Sequence, residues 1–92
     1  MLSNKLSIGQ VVQVSSGRDT GRFFFVIKVI NHEYVLISDG KKRKLDKPKL
    51  KKVKHLKRYN VINEMLKDKI LSEQEITDAF LRAELTKLNN TI

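Results

Sequence analysis

Three runs of β-branched and aromatic residues dominate the first forty positions. They are Val11-Val12-Gln13-Val14, Arg22 to Ile30 with its Phe23-Phe24-Phe25 centre, and Tyr34 to Ile37. Each is short and ends at turn residues, which predicts strands rather than helices. Asn31-His32 reads as a tight connection between the second and third runs. Asp39-Gly40 precedes Lys41-Lys42-Arg43-Lys44-Leu45, and Asp-Gly between two strand candidates predicts a two-residue hairpin, because Gly accepts positive φ. Gly17 and Gly21 bracket Arg18-Asp19-Thr20 and are expected where a Cβ would strain the backbone. Between Pro48 and Tyr59 the pattern is ambiguous, since Leu50, Val53 and Leu56 recur every third residue. Pro48 suits the first position of a helix. A strand through Val53-Lys54-His55-Leu56 is favoured, because it would give four short strands a closing partner and remove an exposed edge.

After Tyr59 the period changes. Val61, Ile62, Met65, Leu66 and Ile70 follow helical spacing, with Asn60 placed to cap. Ser72-Glu73-Gln74-Glu75 reads as a capping box opening a second helix. Ile76, Phe80, Leu81, Ala83, Leu85 and Leu88 form that helix's apolar stripe. The expected fold is mostly β with α: a five-stranded small β-barrel of the SH3-like kind over residues 1–58, then a C-terminal helical pair over 59–92. The helices should pack on or beside the barrel, since neither part buries much apolar surface alone.

Charge changes the picture. The chain has 92 residues and a net charge of +9, with 19 Lys and Arg against 10 Asp and Glu. Residues 41–58 alone hold eleven basic groups and one acid, Asp46, whereas residues 59–92 hold four basic and six acidic groups. An internal cationic run of this density points to a polyanion, nucleic acid before membrane. There is no Cys, so disulfides, thiolate metal sites and Cys nucleophiles are excluded. The longest apolar run, Phe23 to Ile27, cannot span a bilayer, and Met1 to Leu6 lack the apolar stretch of a signal peptide. The expectation is a cytoplasmic protein. No nucleophile–base pair, metal-spaced His and carboxylate cluster, or phosphate-cradling Walker loop is present, and the two His are far apart in sequence. The chain is therefore read as no enzyme, with no cofactor, metal or small-molecule substrate.

The segment Ile8-Gly9-Gln10-Val11-Val12-Gln13-Val14-Ser15-Ser16-Gly17-Arg18-Asp19-Thr20-Gly21-Arg22 resembles a KOW motif. Val12 and Val14 supply its alternation, Gly17 and Gly21 its two glycines, and Phe24 to Val29 the strand that follows. Together with Tyr34 to Gly40 and Lys47-Pro48-Lys49-Leu50-Lys51-Lys52-Val53-Lys54-His55-Leu56, it is similar to the small KOW-domain RNA-binding proteins of Gram-positive bacteria. Those proteins are similar in turn to a group of archaeal and eukaryotic large-subunit ribosomal proteins. The resemblance covers residues 8 to about 58. It implies an SH3-like barrel that binds RNA, above all ribosomal RNA.

The run holds nine Lys and two Arg. Lys suits phosphates as a flexible point charge, whereas Arg suits bidentate base-edge contacts, so the run should supply affinity more than sequence choice. Its candidate contacts are Lys41, Lys42, Arg43, Lys44, Lys47, Lys49, Lys51, Lys52, Lys54, His55, Lys57 and Arg58. Selectivity is assigned to Ser16, Gly17, Arg18, Thr20, Gly21 and Arg22, whose amides, hydroxyls and guanidinium groups can reach phosphate or 2′-OH. Asp19 is expected to hold local backbone amides or Arg18, and an outward Phe to be covered by the helices. RNA is preferred to DNA because no groove-reading helix with Arg, Asn or Gln is apparent. The alternative is a protein-interaction module of a transcription or translation complex, with the helical pair as the partner surface. The two are compatible, with ribosomal proteins as partners of the helices. The charge density also predicts a run that is mobile when free and ordered when bound.

Overall fold

The computed structural model describes residues 6–89. Five strands, β1 (Gln10–Val14), β2 (Phe23–Val29), β3 (Tyr34–Ser38), β4 (Lys49–Lys52) and β5 (Leu56–Ile62), form one antiparallel sheet in the order β4-β3-β2-β1-β5. A single 3-10 turn, Val53–His55, joins β4 to β5, and two helices follow, α1 (Glu64–Leu71) and α2 (Asp78–Asn89).

The sheet buries both faces, which explains why β2 reads Phe23-Phe24-Phe25-Val26 without alternation. Successive side chains point to opposite faces. Phe24 and Val26 join Val12, Val14, Val35, Ile37 and Leu6 in one cluster, with Val53 and Leu56 against it. No residue of α1 or α2 is in that cluster; strand residues make it up together with Leu6 and Val53 of the turn. Phe25 and Val11 join Leu66 of α1 and Leu81 of α2 on the other face, with Phe23 and Tyr59 beside them. The outward aromatics are thus covered by helices, as expected. Phe24 and Phe25 are fully buried, a contribution of about 1.5–3 kcal/mol each. β4 and β5 remain the two edges of the sheet, and no ladder closes it into a barrel among the described residues.

Four local expectations are corrected. Residues 41–45 form no strand. The Asp39 carboxylate takes the amides of Lys41 and Arg43 at 2.9 Å each, and the Arg43 carbonyl takes those of Asp39 and Gly40. These local bonds turn Asp39-Gly40 into the start of a loop to Pro48 rather than a two-residue hairpin. Val53–His55 is a turn, not a strand. Its amide at Val53 donates to Glu33 O, and His55 O accepts from Ser15 N, as the chain crosses from one sheet edge to the other. Of the three residues in the three-residue period, Val53 opens this turn, Leu56 follows it and both meet the core, whereas Leu50 lies in β4 and is 50% exposed. Asn60 lies inside β5, and Asn63 caps α1 instead, accepting from Leu66 N at 2.9 Å. Ser72 ends α1, and Thr77 caps α2 by accepting from Phe80 N. The tight Asn31-His32 connection is present, with Asn31 Oδ1 taking the amides of Glu33 and Tyr34.

The helices are tied to each other and to the long loop. Asn63 Nδ2 donates to Glu84 Oε1 at 2.8 Å, and Glu84 Oε2 accepts from Lys87. The Lys87 ammonium, then Asn63, hold the Glu84 carboxyl below its usual range. That increment of stability is present at neutral pH and is lost on acidification through the lowered value. Asp78, at the start of α2, accepts Leu45 N at 2.8 Å, and Arg82 donates to Gly40 O at 2.6 Å.

Gly40 adopts φ +75°, and a Cβ there would lie 2.3 Å from Asp78 O. Gly40→Ala is therefore expected to destabilise the protein by about 2 kcal/mol or more in urea unfolding, because the α2 backbone must move. Gly21→Ala is the control. Gly21 has φ +90° and open space around it, so only the backbone term, about 1 kcal/mol, should appear. Equal losses at the two sites would contradict the docking of the loop on α2.

Candidate nucleic-acid interface

The β1–β2 loop, residues 15–22, starts where Val14 and Gly21 close the hairpin through Gly21 N to Val14 O and Val14 N to Arg22 O. Within it, Thr20 Oγ1 donates to Gly17 O, and both Gly17 and Gly21 have the positive φ expected of them. Ser16, Gly17, Arg18, Thr20, Gly21 and Arg22 are all exposed. Asp19 alone in this loop is buried.

Asp19 is 2% exposed and faces Arg43, whose Nε donates to Asp19 Oδ2 at 3.0 Å. The expected partners, local backbone amides or Arg18, do not hold its carboxylate; Arg43 does. Asp19 Oδ1 is buried with no hydrogen-bond partner, so its compensation comes from Arg43. A second ion pair runs the other way: Arg22 of the β1–β2 loop meets Asp39 of the β3–β4 loop at 3.5 Å. Each loop thus gives one acid and one arginine to the other. Two further bonds join the same neighbourhood, Lys51 Nζ to Ser16 O at 3.0 Å and Ser15 N to His55 O at 2.8 Å.

The consequence is that the glycine loop and the lysine-rich run, separate in sequence, meet at Arg43, Lys51 and His55. The backbone of the run is tied down by Asp39, Asp78 and the β3–β4 ladder, while many of its ammonium groups point outward. Lys41, Lys42, Lys44, Lys47, Lys54, Lys57 and Arg58 are exposed, and Lys49, Lys51, Lys52, Arg43 and His55 are partly so. The surface is not flat. Lys49 and Lys51 pair with Ile37 and Val35 and so lie on the core side of β4, whereas Lys52 lies on the other side, 5.8 Å above the ring of Tyr34. Lys52 and Lys54 also border a hollow of about 300 Å³ with His32 and Glu33. Lys57 sits 5.3 Å from the ring of Tyr59, which donates its hydroxyl proton to Gln13 Oε1. Arg58 is opposite Val12 at the β5 edge.

Sequence reasoning missed Arg82. It sits in the acidic C-terminal third, yet its contact with Gly40 O carries it to the edge of the basic surface. No local pattern signals this, because the approach depends on how α2 docks. Among the described residues, no three His, Asp or Glu side chains are grouped to hold a metal ion, and no helix is long and apolar enough to cross a membrane. The chain matches no protein-family model and no curated protein.

The two ion pairs should differ in worth. Arg43 is 26% exposed and its loss strands the buried Asp19, so Arg43→Ala is expected to cost about 3 kcal/mol. Arg22 is 42% exposed and its pair is long, so Arg22→Ala should cost under about 1 kcal/mol. Denaturant midpoints of the two variants check this. A larger loss for Arg22→Ala would contradict the ranking.

Proposed function

We propose that this chain is a non-catalytic RNA-binding protein that docks on ribosomal RNA or a ribosomal particle. The observation that carries the reading is the junction of the two loops: Asp19–Arg43 and Arg22–Asp39 bring the selective groups of residues 15–22 beside the lysine-rich run. Phosphate contacts from the exposed lysines would supply affinity, and the loop's amides, hydroxyls and Arg18 would read shape and 2′-OH groups. The strand order supports an SH3-like unit of the KOW type: a meander from β1 to β4, a 3-10 turn, and a fifth strand returned to pair with the first. The KOW resemblance of residues 8–58 points the same way, and to a cytoplasmic place of work.

A second reading has one observation in its favour. Met65 and Leu71, both on α1, are exposed large apolar residues. They suit a protein partner of the helical pair, a ribosomal protein if the first reading holds.

Salt dependence tests the main reading. If six to eight cationic groups neutralise phosphates, log K for ribosomal RNA should fall with log salt with a slope of roughly −4 to −7. Reversing the charge of Lys42, Lys44, Lys47 and Lys54 to Glu should abolish tight binding, and neutralising them to Gln should flatten the slope by about three. These four are exposed and carry no side-chain hydrogen bond in the structure, so the fold should survive. RNA affinity that is insensitive to salt and to these changes would contradict RNA binding by this surface. Capture of the same ribosomal protein by the reversed variant would favour the helical surface instead.

A further inference from the structure

A groove of about 380 Å³ lies where α2 meets the two joined loops. Three cations border it: Arg22 from the β1–β2 loop, Lys41 from the β3–β4 loop, and Arg82 from α2. Phe23 and Leu85 supply apolar wall, and Thr86 a hydroxyl. Asp39 is the single acid, and its carboxylate is already engaged by Arg22 and by the amides of Lys41 and Arg43. The volume falls in the range of small-molecule sites, roughly 300–1,000 Å³.

We propose that this groove takes one unpaired nucleotide of the bound RNA, its phosphate at the three cations and its base against Phe23 and Leu85. The proposal rests on the RNA-binding reading and gives that surface a preference for single-stranded RNA. Two features favour it over a merely solvated set of charges. First, Arg82 is held in place. It spends one amino group on Gly40 O at 2.6 Å, so its guanidinium is oriented while keeping other donors free, and Arg22 beside it lies 3.5 Å from Asp39. Second, the three exposed cations share the groove with the apolar side chains of Phe23 and Leu85, the combination that a nucleotide, with a charged and a flat apolar part, can satisfy at once. An inorganic anion would use only the cations. The groove is continuous with the basic surface through Lys41, so a strand lying on the lysines can turn one residue into it.

The test compares a labelled, unstructured single-stranded RNA with a blunt RNA duplex by fluorescence anisotropy. Thr86→Trp should fill the groove; Thr86 is exposed, and its hydroxyl bonds only the Arg82 carbonyl of its own helix, so folding should persist. Arg82→Gln removes a cation and serves as the second variant, with its melting curve recorded because it also holds Gly40. Thr86→Trp should weaken the single-stranded RNA about tenfold, the effect of losing one stacked base, and leave the duplex unchanged; Arg82→Gln, which also takes one charge from the basic surface, should weaken the single strand more than the duplex. Single-stranded binding at wild-type strength in a folded Thr86→Trp protein would overturn the groove proposal while leaving RNA binding intact. Equal weakening of the duplex would also overturn it, because the groove would then be only part of the electrostatic surface. A nucleoside monophosphate bound as tightly as the oligonucleotide would overturn the assignment to RNA in favour of a free-nucleotide site. Failure of the wild-type protein to bind either RNA would overturn the functional reading itself.

Discussion

Two acids placed among cations hold this molecule's basic surface together. Asp19 and Asp39 stand on neighbouring loops, and each takes an arginine from the other, Arg43 and Arg22. Eleven positive groups within eighteen residues repel one another, and a free segment of that composition would expand. Here the buried Asp19 fixes Arg43 from the side chain, while Asp39 fixes the same residue through its backbone amide. Arg43 is therefore the pivot of the loop, and its carbonyl also takes Ser38 Oγ, Asp39 N and Gly40 N. The neighbouring lysines contribute little to this framework. Their charge stays available for a ligand because others do the structural binding.

The sheet and helices exist in a form that suits this arrangement. One cluster of side chains lies on one face of the sheet, and α1 and α2 cover the other, so β1, β2 and β3, from which the loops spring, are anchored in the core. Rigid strands set the loop bases at fixed separation, and the contact of α2 with Gly40, Leu45 and the β3–β4 loop sets the height of the run. The helical pair thus acts as a buttress for the basic loop. This gives the acidic third of the chain a structural part in the surface whose charge it lacks.

Much of the architecture was legible in the sequence, and the misses share a cause. The first three strands, the Asn31 turn and the change to helical period at the C-terminus follow from local pattern, which the structure keeps. The consecutive phenylalanines pointed to a strand whose outward rings the helices cover, and Phe23 and Phe25 do pack with residues of α1 and α2. What local pattern could not give was the loop from Asp39 to Pro48. The Asp-Gly signal is real as a turn, but the Asp39 carboxylate closes the backbone locally and no ladder follows. The helix caps shifted for a similar reason. Asn60 and Ser72 are competent caps by type, yet β5 runs on to Ile62, with a bulge over residues 59–61 opposite β1, where Gln10 Nε2 donates to Tyr59 O. The candidate residues were legible as a charge run and a glycine loop. Their union through Asp19–Arg43, and the arrival of Arg82, are tertiary facts that no spacing encodes.

The basic surface is built by the Asp19–Arg43 and Arg22–Asp39 ion pairs, and its order should matter for RNA binding as well as its charge. RNA binding by Asp19→Ala tests this most directly, measured on folded protein well below its melting temperature. The substitution raises the net charge by one from +9, so charge alone would tighten binding. The account predicts the reverse: Arg43 is released, the two loops separate, and affinity for ribosomal RNA falls several-fold. Binding that is unchanged or tighter in the folded variant would contradict it, and would leave the lysine run as a simple polycation.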